Sequence, residues 1–387
     1  MSFSQDNKIS DYLVGIIFLL ALSIPLAGSI IHPDNKMSRV EKRALESAPE
    51  LPGSKKQLRR YPDKFDTYYE DQFGFRENLL QVYYRLKYMA GDSASSQVIF
   101  GKDGWMFFRG PDDLDLVNVT RNLRVLTESE LKQHARPLQA KHDWLADRGI
   151  AYVFVIAPNK HSIYPEYLPD YMYKAGDRSL TDNFVDYMRK HTDVTILDLR
   201  AALLREKSNG SRLYYRTDTH WNYPGANIGQ YEIAQTLAAL FPGRIIPTMY
   251  DTTSFTRTIE PGGDLAELLA LSEDFTEIQL TPAFPDCPQV LLSKRLANRK
   301  YFSTDCNASG LNMLVFRDSF TRWLQPYLSH YANRATFVWN RMHPDLYEQA
   351  LEAIKPDVVI ETLAERVLIR TQGLDDNAWS GKAGAYH

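Results

Sequence analysis

Asn312–Thr321 reads NMLVFRDSFT, and its reading decides the fold. Asn312–Phe316 is a short apolar run without polar alternation, which predicts a strand covered on both faces. Arg317-Asp318-Ser319 follows, and then a helical stretch, Phe320–Tyr331. A serine at a strand-to-helix turn presents its hydroxyl at the C-terminal edge of a sheet. Amides at the helix start can there stabilise an oxyanion. The same residues also suit a helix cap, made by Asp318 or Ser319, and this segment alone favours the cap.

Four further runs have the same character: Tyr152–Ala157 (YVFVIA), Val194–Asp198 (VTILD), Ala335–Trp339 (ATFVW) and Asp357–Glu361 (DVVIE). Helical stretches separate them at Leu180–Lys190, Pro224–Leu240 and Asp345–Ile354. The expected fold class is therefore α/β, a five-stranded parallel sheet with helices on both faces. Thr127 and Glu130 form a capping box that opens another helix, which Pro137 should kink. Val98–Phe108 reads as a hairpin around Gly101–Gly104. Residues 61–91 carry a helical apolar face of Leu79, Leu80, Val82, Tyr83, Leu86 and Met89. Residues 245–310 fit no βα unit and read as an insertion.

The bulk numbers exclude little. The chain has 387 residues, 44% hydrophobic and 24% charged, with a net charge of −3. Both signs are interspersed, so nothing favours nucleic acid. Aromatics reach 12%, which suits stacking on sugars and core packing alike. No CxxC or HExxH spacing occurs, so no metal site and no cofactor is expected. Cys287 and Cys306 each sit beside a strand-like run, Pro288–Leu292 and Lys300–Thr304. They read either as two thiols or as a disulfide closing a loop of about 20 residues, worth roughly 3 kcal/mol in the entropic account.

Tyr12–Ile31 is an uncharged run of twenty residues, long enough to cross a hydrocarbon core. It is long for a signal peptide, and Leu26-Ala27-Gly28 makes a poor cleavage site, so an uncleaved transmembrane anchor at 1–31 is expected. Residues 32–60 look like a polar stalk, leaving 61–387 as the main domain. The flanking charges, Lys8 before and Lys36, Arg39, Lys42 and Arg43 after, would by themselves put that domain in the cytoplasm.

Tyr215–Gly225 reads YRTDTHWNYPG. In an extended segment Asp218 and His220 would face one side, and a carboxylate beside an imidazole makes a competent general base. Alone, such a pair is as often structural. Together with Ser319 in an α/β domain, it predicts a Ser–His–Asp triad. Asn159, Lys160 and His161 follow a core strand and could line the same cleft, although a turn role is the expectation. Trp221 reads equally as a sugar-stacking ring or as core.

Taken in order, six segments resemble the alginate O-acetyltransferase family, whose catalytic domain is SGNH hydrolase-like: YEDQFGFR (69–76), IFGKDGWMF (99–107), APNKHSIYPE (157–166), DTHW (218–221), GDL (263–265) and DSF (318–320). The resemblance implies a flavodoxin-like sheet, circularly permuted because the Asp/His pair precedes the serine. Two departures stand out: Arg317 replaces the usual glycine before Asp318, and the usual oxyanion donors lack a match, leaving Asn340 or Arg366 for that role. The resemblance further implies an acetyl-serine intermediate on Ser319, with His220 as base and Asp218 orienting it. The acetyl source would be a membrane-bound O-acyltransferase and the acceptor an exported polysaccharide, within an exopolysaccharide export complex. It places the domain in the periplasm, tethered to the inner membrane, against the charge rule. An acetylesterase and a non-catalytic scaffold are the rival functions.

Overall fold

The computed structural model describes residues 3–31, 36–38, 44–92, 97–284, 287, 301–306, 310–339, 342, 351–352 and 354–370. The chain divides into two compact units, Met1–Ser93 with Asp264–Phe275, and Ala94–Gly263 with Thr276–His387.

The first unit begins with α1 (Phe3–Ile31). Its stretch Asp11–Ser29 has a mean hydropathy of 2.1 and is long and apolar enough to cross a membrane. Next come α2 (Lys55–Asp71), capped by the Ser54 hydroxyl, and α3 (Arg76–Met89). The helical reading of 61–91 is thus two helices, the first starting inside the expected stalk. Gly74 lies in the break between them. A Cβ there would lie 2.1 Å from the Pro25 carbonyl oxygen, and the Gly74 amide donates to Ser29 Oγ at 2.9 Å. Phe75 then turns the chain with φ 58°. A short helix, α10 (Asp264–Glu267), leads to Asp274, which pairs with Arg85 at 2.9 Å.

The second unit opens with an antiparallel hairpin of β1 (Val98–Phe100) and β2 (Met106–Phe108), then α4 (Leu116–Thr120) and α5 (Glu128–Ala146). The Thr127–Glu130 capping box is formed, and α5 runs through Pro137 as one element. Then follow β3 (Ala151–Ala157), α6 (Lys160–Ile163), α7 (Leu180–His191), β4 (Thr195–Asp198), α8 (Arg200–Ser208) and α9 (Tyr223–Leu240). β5 (Thr256–Pro261) and β6 (Thr276–Thr281) pair with each other. The chain closes with β7 (Tyr301–Asp305), β8 (Leu311–Arg317), α11 (Gln325–Tyr331), β9 (Ala332–Val338) and β10 (Val358–Ala364).

The main sheet has six strands in the order β4-β3-β10-β8-β9-β7. The first five run parallel, while β7 lies antiparallel on β9. The expectation of a purely parallel five-stranded sheet is therefore corrected: the sheet is mixed. β7 falls within the stretch 245–310 expected to be an insertion, and its sequence YFSTD lacks the apolar run that marks strands buried on both faces. Most of the expected helix Asp345–Ile354, and the run Pro288–Leu292, lie outside the described residues.

Alternate strand residues feed two cores. Val153, Val155, Met313, Val315 and Ile360 pack with Ile233 of α9 and Tyr327 of α11. Tyr152, Phe154, Leu314, Phe316 and Val359 pack with Leu138 of α5 and Phe184 of α7. On this second face the buried Lys141 ammonium pairs with Glu361 at 2.7 Å.

Candidate active site

β8 delivers the serine. Ser319 is the first residue of a 3₁₀ turn, Ser319–Trp323, and Asp318 is its cap. Asp318 Oδ1 accepts from the Phe320 amide at 2.9 Å, and Oδ2 accepts from the Ala364 amide at the end of β10 at 2.6 Å. Asp318 therefore satisfies the orphan amide of the turn and ties it to the neighbouring strand. The capping role falls to the aspartate, and the Ser319 hydroxyl has another partner.

That partner is His220. Its Nε2 lies 2.8 Å from Ser319 Oγ, across 99 positions of sequence. Its Nδ1 lies 2.7 Å from Asp218 Oδ1. The three side chains form one hydrogen-bonded line. The His220 and Asp218 side chains are 10% and 16% exposed, low enough to limit solvent competition yet open to a reactant. The rings of Phe320 and Trp323 lie 4.8 Å from the imidazole.

The loop carrying the pair is not extended. It bends over residues 216–220 between the bridge partners Tyr214 and Trp221. Asp218 Oδ1 accepts from both the His220 amide, at 2.9 Å, and its ring nitrogen. The i,i+2 spacing thus works through an Asx-type turn rather than through strand alternation.

Three supports hold this loop. The Lys160 ammonium, only 2% exposed, donates to the carbonyls of Tyr215 at 3.0 Å, Arg216 at 2.9 Å and Asp218 at 2.6 Å. Buried Glu277 accepts from the amide and hydroxyl of Thr217, both at 2.7 Å. The Gly263 amide donates to Thr217 Oγ1 at 3.0 Å. Lys160 is more than the turn residue expected of it. The available signal was its place three positions after an apolar strand, where a buried ammonium must find oxygens. Glu277 gave no signal in the sequence.

The neighbours of Lys160 are also buried. The Asn159 amide donates to Glu365 at 2.8 Å. Burial, reinforced by the charges of Lys160 and Arg366, lowers the His161 imidazole to about 3.

The accessory expectations divide. Trp221 is fully buried; its indole N–H donates to the Phe320 carbonyl at 3.0 Å. This corrects the sugar-stacking reading, since a ring with no exposed surface cannot meet a substrate. The Arg366 guanidinium lies 5.1 Å from the Phe320 ring and 5.2 Å from Phe108, next to the turn that bears Ser319. Asn340 lies outside the described residues. Cys287 and Cys306 are joined in a disulfide. With His330 they gather as a potential metal-binding group, but the disulfide occupies both sulfurs.

A serine–imidazole–carboxylate line at the C-terminal edge of a parallel α/β core defines a class of nucleophilic acyl-transfer and ester-hydrolysing proteins. The model of the family described as SGNH hydrolase-like domain, acetyltransferase AlgX matches residues 98–297, and the chain belongs to this family. It is 26% identical over 220 residues to the probable alginate O-acetylase AlgJ of Pseudomonas fluorescens, covering 57% of this chain and 53% of that protein. Its identity to the protein of the same name from Pseudomonas aeruginosa is 26% over 230 residues, covering 56% and 52%. The chain thus spans about half the length of the curated relatives it matches. Among solved structures, the O-acetyltransferase domain of Pseudomonas putida AlgJ aligns with a TM-score of 0.45 and 20% identity, over 70% of this chain and 92% of that one. The resemblance drawn from the six sequence segments is borne out at the level of family.

Proposed function

We propose that this protein is an O-acetyltransferase that acetylates hydroxyls of an exported, alginate-like polysaccharide through an acetyl-serine intermediate. The observation that carries the reading is the continuous Asp218–His220–Ser319 hydrogen-bonded line. Family membership supports acetyl as the group moved. In the first step His220 Nε2 takes the Ser319 proton while Oγ bonds to the acetyl carbonyl carbon. His220 then returns that proton to the departing donor oxygen or sulfur as its bond to the acetyl group breaks. In the second step His220 takes a sugar hydroxyl proton, the sugar oxygen bonds to the acetyl carbon, and Ser319 leaves with the proton restored. Asp218 holds the imidazole tautomer and offsets its charge throughout. The Ser319 amide, at the start of its turn, together with Arg366 or Asn340, is the oxyanion-binding set in this reading.

The strand order supports a circularly permuted SGNH sheet: β8 takes the place of the usual first strand, and β3 and β4 take those of the last two. α1 is read as an uncleaved single-pass anchor in the inner membrane, with the catalytic unit in the periplasm and residues 32–60 joining the two. The acetyl donor is then a membrane-bound O-acyltransferase, in a complex that exports the polysaccharide.

The test is mass spectrometry of the full-length protein in detergent with a chromogenic acetyl ester. A +42 Da adduct on Ser319 is expected, with faster turnover when oligosaccharide is added and loss of both in Ser319→Ala. Turnover with no response to oligosaccharide makes the protein an esterase; unchanged polymer acetylation in cells carrying Ser319→Ala makes it a scaffold.

A further inference from the structure

The catalytic reading leaves α2 unused. At about 100° per residue, Leu58, Tyr61, Phe65, Tyr68 and Tyr69 fall within an arc of about 120° on this helix. Leu58 is 60% exposed, Phe65 44% and Tyr69 36%. The rings of Tyr61, Phe65 and Tyr69 stack along the face at 6.2 and 6.4 Å. Lys55 and Lys64 border this arc on its two sides, with Arg59 and Arg60 next to them. Asp63 and Glu70 lie on the opposite pole with Lys56, and Asp66 falls between Lys55 and Arg59. Most of the positive charge is in the first half of the helix.

The composition is informative. The cores of this protein bury their aromatics, whereas the rings of Phe65 and Tyr69 are exposed. Tyrosines keep a polar tip in water while their rings enter an apolar layer, which is the chemistry of a membrane–water boundary. Lysine and arginine beside such a face extend their stems along it and place their charges among phosphates.

The position of α2 in the chain agrees. Gly74, three residues beyond its end, seats on the last turns of α1, with its amide on Ser29 Oγ and Pro25 in close contact. Pro25 and Ser29 close the apolar span Asp11–Ser29. The chain leaving α2 therefore arrives at the depth where α1 passes from hydrocarbon to water.

We propose that α2 lies in the headgroup layer of the bilayer crossed by α1, its aromatic face turned to the acyl chains and its flanking bases on anionic phospholipid headgroups. The proposal rests on the anchor reading of α1. Such a helix sits about 5–10 Å into the headgroup and acyl boundary, and anionic lipid strengthens its hold.

The test uses full-length protein in vesicles of phosphatidylcholine with phosphatidylglycerol. A single nitroxide is placed by Leu58→Cys, Phe65→Cys, Asp63→Cys or Leu19→Cys; the native cysteines are held as a disulfide. Collision with oxygen, which favours lipid, is compared with collision with a water-soluble nickel chelate. A label at Leu19 should read as bilayer core. Labels at Leu58 and Phe65 should favour oxygen several-fold over the label at Asp63, with the contrast shrinking in pure phosphatidylcholine. If Leu58 and Phe65 match Asp63 while Leu19 stays in the core, the surface helix is refuted and the anchor stands. If Leu19 itself reports water, the anchor reading fails. Labels at Leu58 and Phe65 shielded from both reagents would mean that protein covers this face, which also overturns the proposal.

Discussion

The Lys160 ammonium donates to the Asp218 carbonyl oxygen at 2.6 Å. The first residue of α6, three positions past β3, thereby holds the loop that presents the carboxylate and imidazole. The same ammonium reaches the Tyr215 and Arg216 carbonyls, so removing it releases three oxygens together. Lys160→Met is expected to lower kcat by about 10–100-fold, since sub-ångström placement of the base controls proton transfer. KM for a small acetyl ester should change little. Steady-state kinetics on the ester check this; a KM effect with unchanged kcat would contradict it.

Gly263 faces Asp218 at closest approach. A Cβ on Gly263 would stand 2.4 Å from Asp218 Cβ and 2.7 Å from its Oδ2. Gly263→Ala must therefore shift the carboxylate. A loss of about 10²-fold in kcat is expected, with a lowered denaturation midpoint, because the crowded atoms are the Asp218 Cβ and Cα rather than the tip of a flexible side chain. Activity and urea unfolding measured on the same preparation test the two halves of this expectation.

Lys141 and Glu361 are both buried, at 5% and 1% exposure, and the Tyr152 hydroxyl also donates to Glu361 at 2.7 Å. Removing the lysine alone strands a carboxylate in the core. Lys141→Met should cost about 3–5 kcal/mol. Adding Glu361→Gln, which keeps an acceptor for Tyr152 without the charge, should recover most of the loss. A double-mutant cycle by denaturant unfolding measures the coupling.

His161 makes stability depend on pH. Its folded value of about 3 lies below the ordinary histidine value of about 6.5 in the unfolded chain. At pH values above the unfolded value both states are neutral and nothing is lost. As pH falls through the window between the two, the unfolded chain takes a proton that the folded chain refuses, and stability declines. Between neutral pH and about pH 4 the parent should lose roughly 3 kcal/mol more than His161→Gln does. Unfolding curves across that range read the difference directly.

Much of the fold was legible because buried parallel strands announce themselves as apolar runs. Tyr152–Ala157 and Asn312–Phe316 needed no more than their composition. β7 did not announce itself: an edge strand reading YFSTD owes its place to pairing with β9, and pairing partners are not written in a local pattern. Trp221 shows the same limit from the other side. A ring beside a candidate base looks identical in sequence whether it meets a substrate or, as here, the Phe320 carbonyl.

By itself the sequence determined the chemical parts of the site. A serine at a strand-to-turn boundary and an Asp-x-His segment are local features, set by neighbours along the chain. The tertiary structure alone decided that these parts meet. Closing 99 positions of chain onto one 2.8 Å contact depends on the sheet order that sets β8 beside β10 and on the buried lysine that fixes the opposing loop. Those are long-range packing outcomes, selected by the free energy of the whole core.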